Sequence, residues 1–375
     1  MKSHIYADNA ATTRLSDKAL ESMIPWLTGE YGNASQSYSF SRKPKQALQE
    51  SRAIIAECIG ATPEEIYFTS GGTESNNWVI KNATLNKPGN NGIVTSQIEH
   101  HAVLNACEFE KQYRGRRIQL LPVSKQAIIA PEELINAFSP SDGLVSVMLA
   151  NNEVGTIEPI SILADIAHEH GALFHTDAVQ AIGHIPVNVK ELNVDFLSSS
   201  AHKFNGPKGI GFLYIKKGIN IPPYIAGGKQ EMGSRAGTEN VASIVGMATA
   251  LEENVRGMVS IQARLSSLEM LLLSTLDSYG VGYVRNGASE HIPGNISLSF
   301  AGHDGEAIMH RMDLMGISLS TGSACDSKNT QMSHVLKAMN MAEQYAKGTV
   351  RISLGRYSSE DEVVTIAKSL KKILM

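Results

Sequence analysis

Short apolar, β-rich runs alternate with helix-period segments through the first two-thirds of the chain, and this alternation limits the possible folds most sharply. The strand candidates are 66–70, 92–96, 118–123, 144–150, 173–178, 196–201 and 210–215. Between them, segments 74–85, 101–113, 131–138 and 160–170 carry apolar residues at helical spacing. The strands are almost continuously apolar, as strands buried on both faces are. The pattern therefore predicts a large, mostly parallel sheet covered by helices. After Thr238 the pattern changes. Residues 241 to about 279 form one long helical stretch, followed by strands at 281–285, 296–300, 316–320 and 349–354. Helices at 305–315, 333–339 and 359–374 complete a smaller α+β unit. No repeat or Pro/Ser-rich linker separates the two parts, which predicts intimate packing.

Composition removes several classes of function. A chain of 375 residues buries enough surface to need no disulfide or structural metal. Thirty-three basic against thirty-seven acidic residues give a net charge of −4, too balanced for a dedicated nucleic-acid or polybasic membrane surface. No apolar run reaches the roughly 18 residues of a membrane span. The opening MKSHIYADNAATT lacks a secretory apolar region, so a cytoplasmic protein is expected. Three cysteines, Cys58, Cys107 and Cys325, have neither disulfide-framework nor zinc-site spacing. The default expectation for each is a small packing residue.

Three stretches carry candidate chemistry. In Thr69-Ser-Gly-Gly-Thr-Glu-Ser75 a strand runs through two glycines into a helix. Glycines admit close approach of an anion, and a helix N-terminus offers free N–H groups, so a phosphate suits the turn; an ordinary strand-to-helix turn is the alternative. The spacing matches neither the nucleotide-hydrolase phosphate loop nor the dinucleotide fingerprint. In Phe174-His-Thr-Asp-Ala-Val-Gln180, Asp177 ends a buried strand. Its charge there needs a partner, such as the protonated ring nitrogen of pyridoxal phosphate, unless it simply caps a helix. In Ser198-Ser-Ser-Ala-His-Lys203, a lysine at a strand end is placed to form a Schiff base, or else is merely solvated.

The chain resembles the group I, NifS/IscS-like cysteine desulfurases within the class V branch of pyridoxal-phosphate enzymes. The resemblance rests on Ala7-Asp-Asn-Ala-Ala-Thr-Thr13, Phe68-Thr-Ser-Gly-Gly-Thr-Glu-Ser75, Glu99-His-His-Ala-Val103 and Asn151-Asn-Glu-Val-Gly155. It continues through His175-Thr-Asp-Ala-Val-Gln180, Ala201-His-Lys203, Gly206-Pro-Lys-Gly-Ile-Gly211, Arg235-Ala-Gly-Thr238 and Val350-Arg-Ile-Ser-Leu-Gly-Arg356. Ser320-Thr-Gly-Ser-Ala-Cys325 and the polar tract after it resemble the catalytic-cysteine loop that separates desulfurases from aminotransferases.

The resemblance implies an aspartate-aminotransferase-like fold. Residues 16–250 would form the large cofactor domain, and 1–15 with 251–375 the small domain carrying the cysteine loop. It implies that Lys203 holds pyridoxal 5′-phosphate and shuttles the substrate's Cα proton. Asp177 keeps the ring nitrogen protonated, Gln180 bonds the phenolic oxygen and His100 stacks on the ring as an acid/base. Gly72, Thr73, Ser200 and His202 hold the phosphate, and Thr238 reaches the phosphate of the neighbouring subunit in a homodimer. Arg351 grips the substrate carboxylate, and Asn152 lies between cofactor and substrate. Cys325 attacks the sulfur of L-cysteine, leaving L-alanine and a persulfide. The persulfide passes to an acceptor protein, such as an iron–sulfur scaffold or a thiolation enzyme. Cys58 and Cys107 keep the packing role.

One segment departs from the family pattern. Gly32-Asn-Ala-Ser-Gln-Ser-Tyr-Ser39 lacks the usual proline and has Tyr38 near the expected histidine. The competing expectations are an aminotransferase, a selenocysteine lyase or, more remotely, an inactive protein of the same fold. Cys325 discriminates among them.

Overall fold

The computed structural model describes residues 4–85, 89, 91–321 and 332–375. Cys325 and most of the polar tract after it lie outside the described residues.

The first third of the chain holds β1 (Ile5–Tyr6), α1 (Asp17–Thr28), α2 (Arg42–Cys58), β2 (Ile66–Thr69), α3 (Gly72–Asn82), β3 (Gly92–Ser96) and α4 (His101–Arg114). There follow β4 (Ile118–Leu121), α5 (Pro131–Ala137), β5 (Asp142–Ser146), α6 (Ile160–Glu169), β6 (Leu173–Asp177), β7 (Phe196–Ser200) and β8 (Gly211–Ile215). The remainder comprises α7 (Val241–Ser278), β9 (Val284–Arg285), β10 (Asn295–Ser299), α8 (Gly305–Leu314) and β11 (Ile317–Ser318). It ends with α9 (His334–Ala338), α10 (Glu343–Ala346), β12 (Thr349–Ser353) and α11 (Glu360–Leu374).

A seven-stranded sheet has the order β2-β8-β7-β6-β5-β3-β4. β8 runs antiparallel to both its neighbours, while the pairs among β3 to β7 are parallel. Reversal on both sides of β8 leaves β2 pointing the same way as β7. The carboxyl ends of β2, β3, β5, β6 and β7 therefore share one edge of the sheet, where ligands of open α/β sheets bind. A three-stranded antiparallel sheet, β12-β10-β9, and the parallel pair β1-β11 make the second β system.

Burial follows this arrangement. One apolar cluster holds Ile244, Met247 and Leu251 of α7 against Phe174, Leu197 and Phe212 of the large sheet. A second holds Leu265, Leu268, Leu272 and Leu276, further along the same helix, against Ile296, Leu298, Val350 and Ile352. The 38-residue α7 thus contributes to two cores. Val335, Leu336 and Ala346 belong to the first of them despite their late position in the chain.

Two differences from the sequence expectation have plain causes. β5 spans 142–146 rather than 144–150. Beyond it Val147 N–H and Leu149 N–H still donate to His175 and Asp177 carbonyls at 3.0 and 2.9 Å, so one side of the ladder persists. On the other side β3 has already ended at Ser96. The strand expected over 316–320 is only Ile317–Ser318, and Ser320 instead pairs with Arg351 as an isolated bridge.

Candidate active site

The turn from β2 to α3 is built for close approach. Gly71 sits at φ +142°, a conformation open to glycine, and no side chain caps α3. A Cβ on Gly72 would fall 2.5 Å from Val179 Cγ2, so the neighbouring segment leaves room only for hydrogen. The first-turn amides of α3 consequently face an open space with the positive end of the helix dipole behind them.

That space is a cavity of about 310 Å³ lined by residues from all the converging strand ends. Gly72, Thr73, His100, Asn152, Asp177, Gln180, Ser200, His202, Lys203 and Arg351 all line it. Thr238 does not. It lines a separate cavity of about 210 Å³ with Ser70, Gly209 and Arg235. No residue of 32–39 lines the main cavity, and Tyr38 is exposed.

Asp177 is the last residue of β6 and is buried. Its Oδ2 accepts from Asn76 Nδ2 at 2.6 Å and its Oδ1 from the Val179 N–H at 3.0 Å. These donors are neutral, so no cation among the described residues bonds the carboxylate. Lys203 follows β7 in a 3₁₀ turn, Ala201–Lys203. Its Nζ donates to the carbonyls of Ala10 and Ala11 at 2.5 and 2.8 Å. Gln180 Nε2 also donates to Ala10 O, at 3.0 Å, and His202 Nδ1 meets Thr12 Oγ1 at 3.1 Å. The N-terminal Ala7–Thr13 motif is thereby drawn across the mouth of the large sheet.

His100 caps α4, its Nδ1 accepting from the Ala102 N–H at 3.1 Å. The neutral ring therefore carries its proton on Nε2. Burial pushes this imidazole below its ordinary pKa; Asp177 opposes the shift, while Lys203, His101 and His334 add to it. His202 is pushed down to about 4 by burial, with Lys203 and Lys208 assisting. Glu99, entirely buried beside His100, is pushed up to about 8 by burial.

Arg351 on β12 reaches the cavity from the second β system. Its Nη1 donates to the Asn152 carbonyl and its Nη2 to Asp8 Oδ1, both at 2.7 Å. Its Nε is buried without a hydrogen-bond partner among the described residues.

Several site residues have no role in the sequence reading. Asp8, Glu153 and His101 stand inside quoted motifs, and His334 opens α9. Asn76 carries no signal beyond lying one turn past Gly72. Cys58 and Cys107 do not line the cavity, and burial pushes both thiols up to about 12, the protonated form expected of packing residues.

The donor set suits pyridoxal phosphate. An uncapped helix start with flanking Ser200 and His202 suits a dianionic phosphate, and a buried carboxylate bonded only to neutral donors suits a protonated ring nitrogen. Lys203 brings an amine to the same cavity.

Comparison with known proteins identifies the family. Residues 5–366 match the family model described as aminotransferase class-V. A cysteine desulfurase IscS of Dictyoglomus turgidum is 46% identical over 377 residues, covering 100% of this chain and 95% of the relative. A solved structure described as a NifS-like protein has a TM-score of 0.93 at 37% identity, covering 99% of each chain. Another, SspA in complex with cysteine, has a TM-score of 0.83 at 33% identity, covering 95% of this chain and 100% of that one. The chain belongs to the class-V aminotransferase family and, within it, to the NifS/IscS-like cysteine desulfurases.

Proposed function

We propose that the protein is a pyridoxal-phosphate-dependent cysteine desulfurase that converts L-cysteine to L-alanine and leaves a persulfide on Cys325. The observation that carries this is the meeting of Lys203, buried Asp177 and the uncapped start of α3 in one cavity with Arg351. In this reading Gly72, Thr73, Ser200 and His202 hold the phosphate, and Asp177 holds a proton on the ring nitrogen. Gln180 bonds the ring's phenolic oxygen, and Asn152 sits between ring and substrate. When bound, the cofactor supplies an electron sink for charge developing at the substrate's Cα. Lys203 moves the Cα proton, and His100 Nε2–H serves as the neighbouring acid.

Arg351 binds the substrate carboxylate with N–H groups that suit a planar anion. Cys325, as a thiolate, attacks the substrate Sγ. A sulfur–sulfur bond forms and the carbon–sulfur bond breaks. The electron pair passes to Cβ, which takes a proton to become the methyl of alanine. L-cysteine and a thiol thus become L-alanine and a persulfide, with atoms and charge balanced.

The active unit is proposed to be a cytoplasmic homodimer in which Thr238 serves the neighbouring subunit's phosphate. Its placement away from its own chain's main cavity favours that arrangement. Residues 16–250 would act as the cofactor domain, and 1–15 with 251–375 as the domain that brings Cys325. Among the described residues no helix is long and apolar enough to cross a membrane. The sulfur goes to an acceptor protein with a reactive thiol or cluster-scaffold cysteines.

The test is Cys325→Ala. Alanine formation from L-cysteine should fall to background while visible absorbance of the loaded enzyme persists; that absorbance should be lost in Lys203→Ala. Unchanged alanine and sulfide production in Cys325→Ala would overturn the mechanism in favour of a lyase.

A further inference from the structure

Arg351 already has a carboxylate partner. Asp8 takes its Nη2, and the ion pair is largely buried, with the arginine side chain 4% and the aspartate 19% exposed. Glu153 follows Asn152, whose carbonyl accepts from Arg351 Nη1. Glu153 lines the same cavity and is buried. Ser333 Oγ, at the start of α9, donates to Glu153 Oε2. A substrate carboxylate arriving at Arg351 would add negative charge to a cavity that already holds the buried Glu153 carboxyl and whose arginine is already paired with Asp8. Little water is left there to screen the repulsion.

We propose that Glu153 is the proton-carrying member of the substrate-carboxylate subsite, taking up one proton as the amino acid binds so that substrate and proton enter together. This rests on the reading of Arg351 as the carboxylate site. The groups facing Glu153 are His101 on α4, His334 on α9 and Arg351 on β12, with Asp8 beyond the arginine. Burial pushes the Glu153 carboxyl up, opposed by the Ser333 hydrogen bond and by those three basic residues. The His101 and His334 rings lie 4.8 Å apart, and His334 Nε2 is engaged with the Glu99 carbonyl at 3.0 Å. A second carboxylate at Arg351 then tips Glu153 toward its neutral form, which still bonds Ser333.

The test is calorimetric titration of the holoenzyme with L-alanine, which has no carbon–sulfur bond to break. Runs in two buffers of different ionisation enthalpy count the protons exchanged. Wild type should take up close to one proton per alanine over an interval above the ordinary carboxylate range. Across that interval affinity should fall by about tenfold per pH unit. Glu153→Gln, which keeps the shape and an acceptor for Ser333, should abolish the uptake and flatten the dependence. Ser333→Ala should move the uptake to higher pH. Uptake unchanged in Glu153→Gln, or binding of alanine to wild type without any uptake, overturns the proposal while leaving the desulfurase reading intact. No binding of L-alanine at any pH would count against that reading and the proposal together.

Discussion

Gly72 shows how much one missing Cβ decides. Its substitution by alanine would place a methyl 2.5 Å from Val179 Cγ2, and a valine has little freedom to retreat. The turn would have to move, at a cost of about 1–3 kcal/mol. The first-turn amides of α3 would move with it. Gly72→Ala is therefore expected to weaken pyridoxal phosphate retention by about tenfold or more, measured as cofactor left after desalting. Adding Val179→Ala restores the space and should recover part of the loss. A double variant as poor as the single one would show that crowding against Val179 is not the cause. At this scale the sequence was legible at strand ends: Asp177 closes a β run, and Gly72 and Lys203 each stand three residues past one. The partners Asp8 and Glu153 were not legible. Their roles come from Arg351, whose ion pair with Asp8 spans 343 residues, and no local pattern encodes such a meeting.

At the scale of elements, stability is expected to respond most cleanly where a helix depends on a named cap. α11 begins with a reciprocal pair in which Ser359 accepts from the Glu362 N–H and Glu362 accepts from the Ser359 N–H. Ser359→Ala removes half of it and should cost about 1 kcal/mol. The buried face of α11, from Val363 to Ile373, packs on the second core, and none of its residues lines the cavity. Thermal melting should fall by about 2 °C, with KM for L-cysteine unchanged. A KM shift would tie α11 to the site. The same accounting explains which elements the sequence announces. The central strands are short β-rich runs buried on both faces, and they stand out. α1 does not, because it buries only Ala19 and leaves Leu20, Ile24 and Leu27 exposed, with Pro25 inside. α2 also escapes: it carries many charges and has Pro44 in its first turn. α10, four residues long, is too short to show a period.

For the whole molecule, the buried acids and histidines set a pH profile of stability whose sign can be worked out. Glu158 and Glu99 are pushed up to about 8 by burial, from an ordinary value of 4.5. In the fold they hold protons that the unfolded chain releases above its own pKa. Their contribution is full below about pH 4.5 and is lost as pH rises to about 8. His175 is pushed down to about 3 by burial and His202 to about 4, from 6.5. Their contribution is full above about pH 6.5 and is lost as pH falls toward those values. Between pH 4.5 and 6.5 the two slopes oppose each other. Above 6.5 only the acids act, so stability should decline from pH 6.5 to 8. Glu158 makes the better probe, because its carboxyl holds the Ile129 N–H at 3.0 Å and does not line the cavity. Glu158→Gln keeps an acceptor there while removing the titration. The wild-type melting temperature should fall across pH 6.5–8, and the variant should show a shallower fall. Equal slopes in the two proteins would mean that Glu158 titrates alike in the folded and unfolded chain.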